Sequence, residues 1–211
     1  MTDETDIRPT ATTQDGRPQP RRATPADVAR LARAMAEAFY DDPVFSWLMP
    51  DDERRLARLR RFYAIELRHV GLGGGHAWTS DELAGASISA PPGAWHVPLR
   101  VVLLQGSLFG AYVARAARLL GAVERRHLRE PHHYFAHIGV EPAAQGKGLG
   151  SRMMRPTLDA CDRDGLPAYL EASSERSAAL YERLGFRLVR ELRVGGGPPL
   201  RLMIRYAGAP A

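Results

Sequence analysis

From Val28 onward, apolar side chains return every three or four positions. Val28, Leu31, Met35, Ala38 and Phe39 fall on one face of a helix. Thr24 is placed to cap that helix, with Pro25 at its first position and Asp27 in its first turn. Residues 21–24 read as a short strand before it. Asp42-Pro43 ends the helix, and residues 44–49 make a short aromatic turn closed by Pro50. Residues 51–70 then predict a second amphipathic helix. Its buried stripe is Leu56, Leu59, Phe62, Tyr63, Leu67 and Val70, and its arginines form a solvated face.

After the loop at 71–75 the pattern changes. Residues 76–79 and 83–90 read as a hairpin turning near Ser80-Asp81-Glu82, and Pro91-Pro92-Gly93 ends it. Residues 98–129 predict two helices parted near Gly110. The last third alternates regularly: strand 132–140, helix 148–163, strand 168–171, helix 175–184, and strands 186–194 and 200–206 joined by Gly195-Gly196-Gly197-Pro198-Pro199. Alternation along residues 132–140 puts His132 with Tyr134 and Ala136, and His133 with His137 on the opposite face.

The 211 residues favour one domain, and a hydrophobic share of 45% is enough for a sizeable core. Residues 1–19 carry almost no apolar side chains and predict a disordered tail. Residues 20–211 are expected to form a single domain, with 98–129 as a helical insertion. The net charge of +5 would suit a phosphate-bearing ligand. The basic residues are dispersed rather than massed, so no nucleic-acid partner is expected. Lys147 is the only lysine, and it sits in a glycine loop. The single cysteine, Cys161, excludes an internal disulfide framework and argues against a cysteine-rich metal site. No signal-like segment opens the chain. The most apolar run, 101–114, is interrupted and shorter than the roughly 20 residues a membrane helix needs. The expectation is a cytoplasmic protein, monomeric or homodimeric, with no membrane partner.

The chemistry is concentrated at Val140-Glu141-Pro142-Ala143-Ala144-Gln145-Gly146-Lys147-Gly148-Leu149-Gly150-Ser151, between a strand and a helix. Glycines there let successive backbone N–H groups face one concavity, and the helix N-terminus adds a favourable dipole. Such a loop cradles a pyrophosphate without a metal, and Lys147 adds a charge. A dinucleotide fold is the alternative, with Glu171 about 20 residues on. Against it, Ser151 replaces the third glycine of that fingerprint, and too little chain follows for a six-stranded doubly wound sheet.

Gln145-x-x-Gly148-x-Gly150 after Val140-x-Pro142, then Leu170-Glu171-Ala172-Ser173-Ser174 and Leu180-Tyr181-Glu182-Arg183-Leu184-Gly185-Phe186, together resemble the GNAT N-acetyltransferase superfamily. The resemblance spans about residues 132–205. Pro156 in the helix after the loop and the Tyr-Glu-Arg-Leu-Gly-Phe run place it nearest the puromycin N-acetyltransferase-like branch.

That resemblance implies an α/β fold: a mixed, mostly antiparallel twisted sheet of about six to seven strands, flanked by helices and splayed between strands 4 and 5. Acetyl-CoA would be the cosubstrate, with no metal, and a primary amine of a small molecule or peptide the acceptor. The backbone of Ile138, Gly139 and Val140 would pair with the pantetheine arm. Gln145, Gly146, Lys147, Gly148, Leu149, Gly150 and Ser151 would hold the pyrophosphate. Ser174 stands where the family usually has an asparagine contacting pantetheine; this chain has no asparagine, and serine has less reach.

An amine of pKa about 10.4 is neutral only about once in 2,500 at pH 7, so the acceptor must lose a proton before it attacks. The resemblance places the proton donor to the departing thiolate at Tyr181, a phenol that stays protonated until the thiolate forms. Packing against Leu184 and Phe186 is the alternative role. Relatives often carry the base at positions matching Tyr134 or Ala136, neither usable here, which leaves Glu171 as base or as a structural carboxylate. His132, His133 and His137 read as structural, without a carboxylate spaced for zinc. Asp41, Asp42, Phe45, Trp47, the 98–129 helices and the 195–199 loop are the candidate walls of the acceptor pocket. A non-catalytic acyl-CoA sensor is the reading from another class.

Overall fold

The computed structural model describes residues 19–209. The expectation of a disordered tail falls almost wholly on residues 1–18, which lie outside the described residues.

Seven strands form one sheet: β1 (Arg21–Arg22), β2 (His76–Thr79), β3 (Gly85–Ala90), β4 (His133–Val140), β5 (Ala168–Ala172), β6 (Arg187–Leu192) and β7 (Leu200–Arg205). Their order is β1-β2-β3-β4-β5-β7-β6. Every neighbouring pair is antiparallel except β4 and β5. Seven helices flank it: α1 (Val28–Ala38), α2 (Pro43–Leu48), α3 (Asp52–Glu66), α4 (Leu99–Gly106), α5 (Val113–Arg126), α6 (Leu149–Asp164) and α7 (Glu175–Glu182). The fold is the mixed α/β arrangement the resemblance implied.

Helix starts follow their caps. The Asp27 carboxylate accepts from the Thr24 backbone and hydroxyl at 2.8 and 2.9 Å. Asp42 Oδ1 accepts from the Val44 and Phe45 amides, starting α2 at Pro43. The end of α3 loosens into a π-type turn, Leu67–Gly71. Residues 98–129 hold two helices as expected, kinked at Gly110, whose φ of 54° suits glycine.

One apolar layer packs α1, α2 and α3 on one face of the sheet through Leu31, Met35, Leu59, Tyr63 and Ile88. The other packs α6 and α7 on the opposite face through Phe135, Met154, Leu158, Leu170 and Phe186. The bidentate pair of the buried Arg205 with Asp162, at 2.8 and 3.0 Å, ties β7 to α6.

Two expectations are corrected here. The arginines of α3 do not all face solvent: Arg55 is buried, donating to the Met49 carbonyl at 2.7 Å and pairing with Asp52. His133 and His137 do not share a face. The β3–β4 register passes from Ser89↔Phe135 to Ile88↔His137, so Ala136 is an extra residue, a β-bulge that reverses the alternation. His133 reaches Asp164 of α6 at 2.9 Å. His137 instead packs among Phe39, Phe45, Phe62 and Tyr63 on the other face.

Candidate active site

The pairing of β4 with β5 lasts three residues, ending at Phe135↔Leu170. Beyond it the strands part, and a cleft of about 1290 Å³ opens between them. Ile138, Gly139 and Val140 line it. The Glu141 amide donates to the carbonyl of Ala84, the residue before β3, at 2.9 Å, and ladder alternation then turns the backbone groups of Ile138 and Val140 to the open edge. A Cβ on Gly139 would lie 2.8 Å from the Phe39 ring and 2.9 Å from Met35 Sδ. Glycine there lets α1 sit directly on this edge.

The glycine loop closes one end of the cleft. Gly146 and Gly148 have φ of 78° and 73°, which glycine takes without strain. Gly148 caps α6, whose first amides have no partner within the helix. Gln145 braces the loop, donating to the Val140 carbonyl at 2.9 Å and accepting from Arg176 at 2.9 Å. Gln145, Gly146, Gly148, Leu149, Gly150 and Ser151 all line the cleft. Lys147 is exposed and is not among the lining residues; its ammonium turns back to the Ala143 carbonyl at 3.4 Å. The cradle is therefore mainly backbone.

Tyr181 reaches the cleft from α7. It is 6% exposed, and its ring lies 6.0 Å from that of Phe186, so packing and access coexist. Burial and the nearby Asp42 push its phenol above the usual range, keeping it a donor. Ser174, two residues past β5, also lines the cleft, but its hydroxyl is engaged. It accepts from the Ser177 amide at 3.1 Å and caps α7. Ser173 is engaged too, donating to Asp42. Asp42 thus caps α2, bridges to the β5–α7 turn and lines the cleft. Burial raises its carboxyl.

Glu171 enters from the α1/α3 face of β5. Its Oε2 accepts from the Tyr134 hydroxyl at 2.8 Å. Among the described residues its Oε1 has no hydrogen-bond partner, and it lies 3.6 Å from His127 Nδ1. The partners of His127 decide which nitrogen faces that gap. His132 Nδ1 is 2.7 Å from the Glu130 carbonyl, which only accepts, so that nitrogen carries hydrogen. Burial lowers His132, so the ring is neutral and its Nε2 accepts from His127 Nε2 at 3.0 Å. With Nε2 turned to His132, His127 Nδ1 faces Glu171 Oε1 across 3.6 Å, a gap longer than a hydrogen bond. Trp95 stacks on His127 at 3.7 Å and covers this chain.

Sequence reasoning missed two groups, His127 and Glu66. Glu66, at the end of α3, is buried and lines the cleft. It accepts from Gln105 of α4 and stands 3.7 Å from His137. Burial raises its carboxyl to about 7 and lowers His137 to about 4. In sequence Glu66 is one acid in an arginine-rich amphipathic helix, and nothing local marks it. The structure brings Asp41, Asp42, Phe45 and residues of the 98–129 insertion to the same cleft; Trp47 instead packs against Gly197. Among the described residues, no cluster of three or more histidine, cysteine or acidic side chains is arranged to hold a metal, and no helix is long and apolar enough to cross a membrane.

Comparison with known proteins places the fold. Residues 32–186 match the family model described as "Acetyltransferase (GNAT) family". An uncharacterized N-acetyltransferase of Schizosaccharomyces pombe is 28% identical over 204 residues, covering 88% of this chain and 82% of that protein. The N-alpha-acetyltransferase RimI of Mycobacterium tuberculosis is 41% identical over 88 residues, 38% of this chain; the match spans about half (54%) of that relative. Among solved structures, a histone acetyltransferase HPA2 and related acetyltransferase from Corynebacterium glutamicum superposes with a TM-score of 0.70 at 26% identity, covering 92% of this chain and 98% of that one.

Proposed function

The chain belongs to the GNAT acetyltransferase family, and on that premise we propose that it moves the acetyl group of acetyl-CoA directly to a primary amine. The observation that carries this reading is the union, in one cleft, of an open β4 edge, a backbone anion cradle and the Tyr181 phenol.

The pantetheine arm extends the sheet along Ile138 and Val140, and the pyrophosphate sits on the amides of Gly146 to Ser151. Lys147, turned outward, contributes long-range charge more than contact. Ser174 shapes the turn rather than replacing the missing asparagine, since its hydroxyl caps α7. A free β4 amide near Val140 donates to the developing oxyanion. Glu171 takes the amine's proton, directly or through water, and passes it toward His127 and His132. Tyr181 donates to the departing sulfur. Cys161 is buried, with its thiol pushed up to about 12, and lies outside the cleft lining. That chemistry does not suit an acetyl-cysteine intermediate and supports direct transfer through a tetrahedral intermediate.

Residues 20–211 act as one domain, with the insertion forming part of the acceptor side. The narrower branch resembling puromycin N-acetyltransferase, a cytoplasmic location and a monomeric or homodimeric state belong to this same reading. The RimI relative is named for N-alpha acetylation, so peptide N-termini belong in the substrate panel with small amines. Acetyl-CoA turnover, read as free thiol released in the presence of aminonucleosides, polyamines, simple amines and peptide N-termini, tests the reading. Tight acetyl-CoA binding with no thiol release for any amine would favour a non-catalytic acyl-CoA sensor. A preference for NAD over acetyl-CoA would return the dinucleotide alternative.

A further inference from the structure

The cleft is too large for one role, and its two ends differ in chemistry. Among the described residues, the cationic side chains lining it are Arg176 and Arg183, in or just after α7. The remainder runs under the insertion. Between positions 97 and 123 every residue lining the cleft is uncharged, and only Gln105 and Ser107 are polar. The Gln105 amide is already spent on Glu66. This lobe opens through an apolar rim, where Leu103 is 68% exposed and Val113 46% exposed. Four carboxyl groups line the rest of the cleft: Asp41 and Asp42 before α2, Glu66 at the end of α3 and Glu171 on β5.

From this division we propose that the acceptor is a monoamine with an apolar alkyl or aryl body, taken up by the lobe between α3, α4 and α5 with its amine directed inward to the carboxylates. The inference rests on the acetyltransfer reading and adds the substrate class. The apolar wall rewards each buried methylene. A second ammonium, or a sugar's hydroxyls, would lose water against a wall offering no carboxylate and almost no hydrogen bond. A carboxylate on the acceptor would face Glu66 and Glu171 with no cation beside them. Polyamines, aminoglycosides and amino acids are therefore poor fits, although all carry primary amines.

A homologous series of n-alkylamines from ethylamine to hexylamine, with phenethylamine, spermidine and kanamycin, tests this at fixed acetyl-CoA by thiol release. In parallel, hexylamine binding is measured by calorimetry with coenzyme A present. The expected result is kcat/KM rising up to about fourfold per added methylene, the fold-change of about 0.8 kcal/mol. Hexylamine and phenethylamine should exceed spermidine and kanamycin. Leu103→Asp, at an exposed position that leaves folding intact, should raise the hexylamine KM about tenfold while acetyl-CoA affinity is unchanged. A series flat with chain length, a preference for spermidine, or hexylamine parameters unmoved by Leu103→Asp would overturn the proposal. So would a change of oligomeric state in Leu103→Asp with unaltered amine kinetics, which would make the rim a contact between two copies. Hexylamine binding that is lost in Leu103→Asp, with no thiol release from any amine, would support the lobe and fail the transfer reading instead.

Discussion

The two ends of the cleft are built from different materials. The glycine-loop end is made of backbone: positive-φ glycines, the first amides of α6 and the unpaired edge of β4. The acceptor end is made of side chains that arrive from α3, α4, α5 and β5 and meet only in the fold. On the reading proposed above, backbone donors would meet what every turnover shares, the phosphates and the thioester arm. Side chains on helices can be exchanged without disturbing the sheet, so specificity collects there. One end should therefore respond to substitutions through coenzyme affinity, and the other through proton transfer and amine selection.

The sharpest test of that division is Tyr181→Phe. The ring still packs against Phe186, and only the donor to sulfur is removed. Turnover should fall about a hundredfold to ten-thousandfold while acetyl-CoA affinity, measured by calorimetry, stays near wild type. A rate within about threefold of wild type would mean that the thiolate leaves unaided.

Glu171→Gln should lower kcat about a hundredfold at neutral pH and less at high pH, where the amine is already neutral. The pH–rate profile reads this directly. An equal loss at every pH would make Glu171 a structural partner of Tyr134.

The loop end is best broken at Gly150. Its added Cβ would meet Val140, Leu180 and Ile138 at 3.7–4.0 Å, ordinary contact. Gly150 also lies within α6 rather than at a positive φ. Gly150→Ala should keep the melting temperature and weaken acetyl-CoA binding about tenfold by crowding the approach of phosphate. Intact affinity would move the pyrophosphate elsewhere. Gly148→Val is a less clean probe, because its φ of 73° would add backbone strain to any binding loss.

Glu66 ties the acceptor end to stability. Its carboxyl lies at about 7 in the fold against an ordinary 4.5. Folding therefore takes up a proton at this group between those values, and the Glu66 contribution to stability falls as pH rises from about 4.5 to 7, by an amount on the order of 3 kcal/mol. The neighbouring His137, held at about 4, contributes a slope of the opposite sign up to about 6.5. The Glu66 slope should appear in denaturant titrations as the pH dependence of the stability difference between wild type and Glu66→Gln; a difference constant with pH would remove Glu66 as its source. The smallest effect belongs to Lys147→Ala: an acetyl-CoA KM raised less than about threefold, vanishing at high salt, as suits an exposed charge.

The same contrast explains what could be read from the chain. The loop was legible because glycines at fixed spacing between a strand and a helix dictate backbone geometry locally. The places of Tyr181 and Glu171 at the cleft were legible through the runs that carry them. Glu66 was hidden, since its perturbation comes from burial under α4, a contact across 39 positions. His127 was hidden because its place beside Glu171 depends on the end of α5 folding back over β4 and β5. The faces of His133 and His137 were misjudged for a local reason: strict alternation assumes an unbroken ladder, and Ala136 is an extra residue. The arginine face of α3 failed at Arg55, whose guanidinium satisfies the Met49 and Tyr40 carbonyls that a solvated helix would leave to water.

The short parallel seam also bears on how the molecule comes apart. β1 to β4 and β5 to β7 are each stitched antiparallel along their lengths, while only His133↔Ala168, Tyr134↔Tyr169 and Phe135↔Leu170 join the two halves within the sheet. Amides at that junction should exchange with solvent through local openings that leave each meander intact. A coenzyme lying along β4 with its phosphates on α6 and its sulfur at α7 would bridge the halves like a missing strand. Its binding energy then adds directly to the free energy of separating them. If the gap admits the coenzyme as proposed, the sheet would depend on that ligand for cohesion.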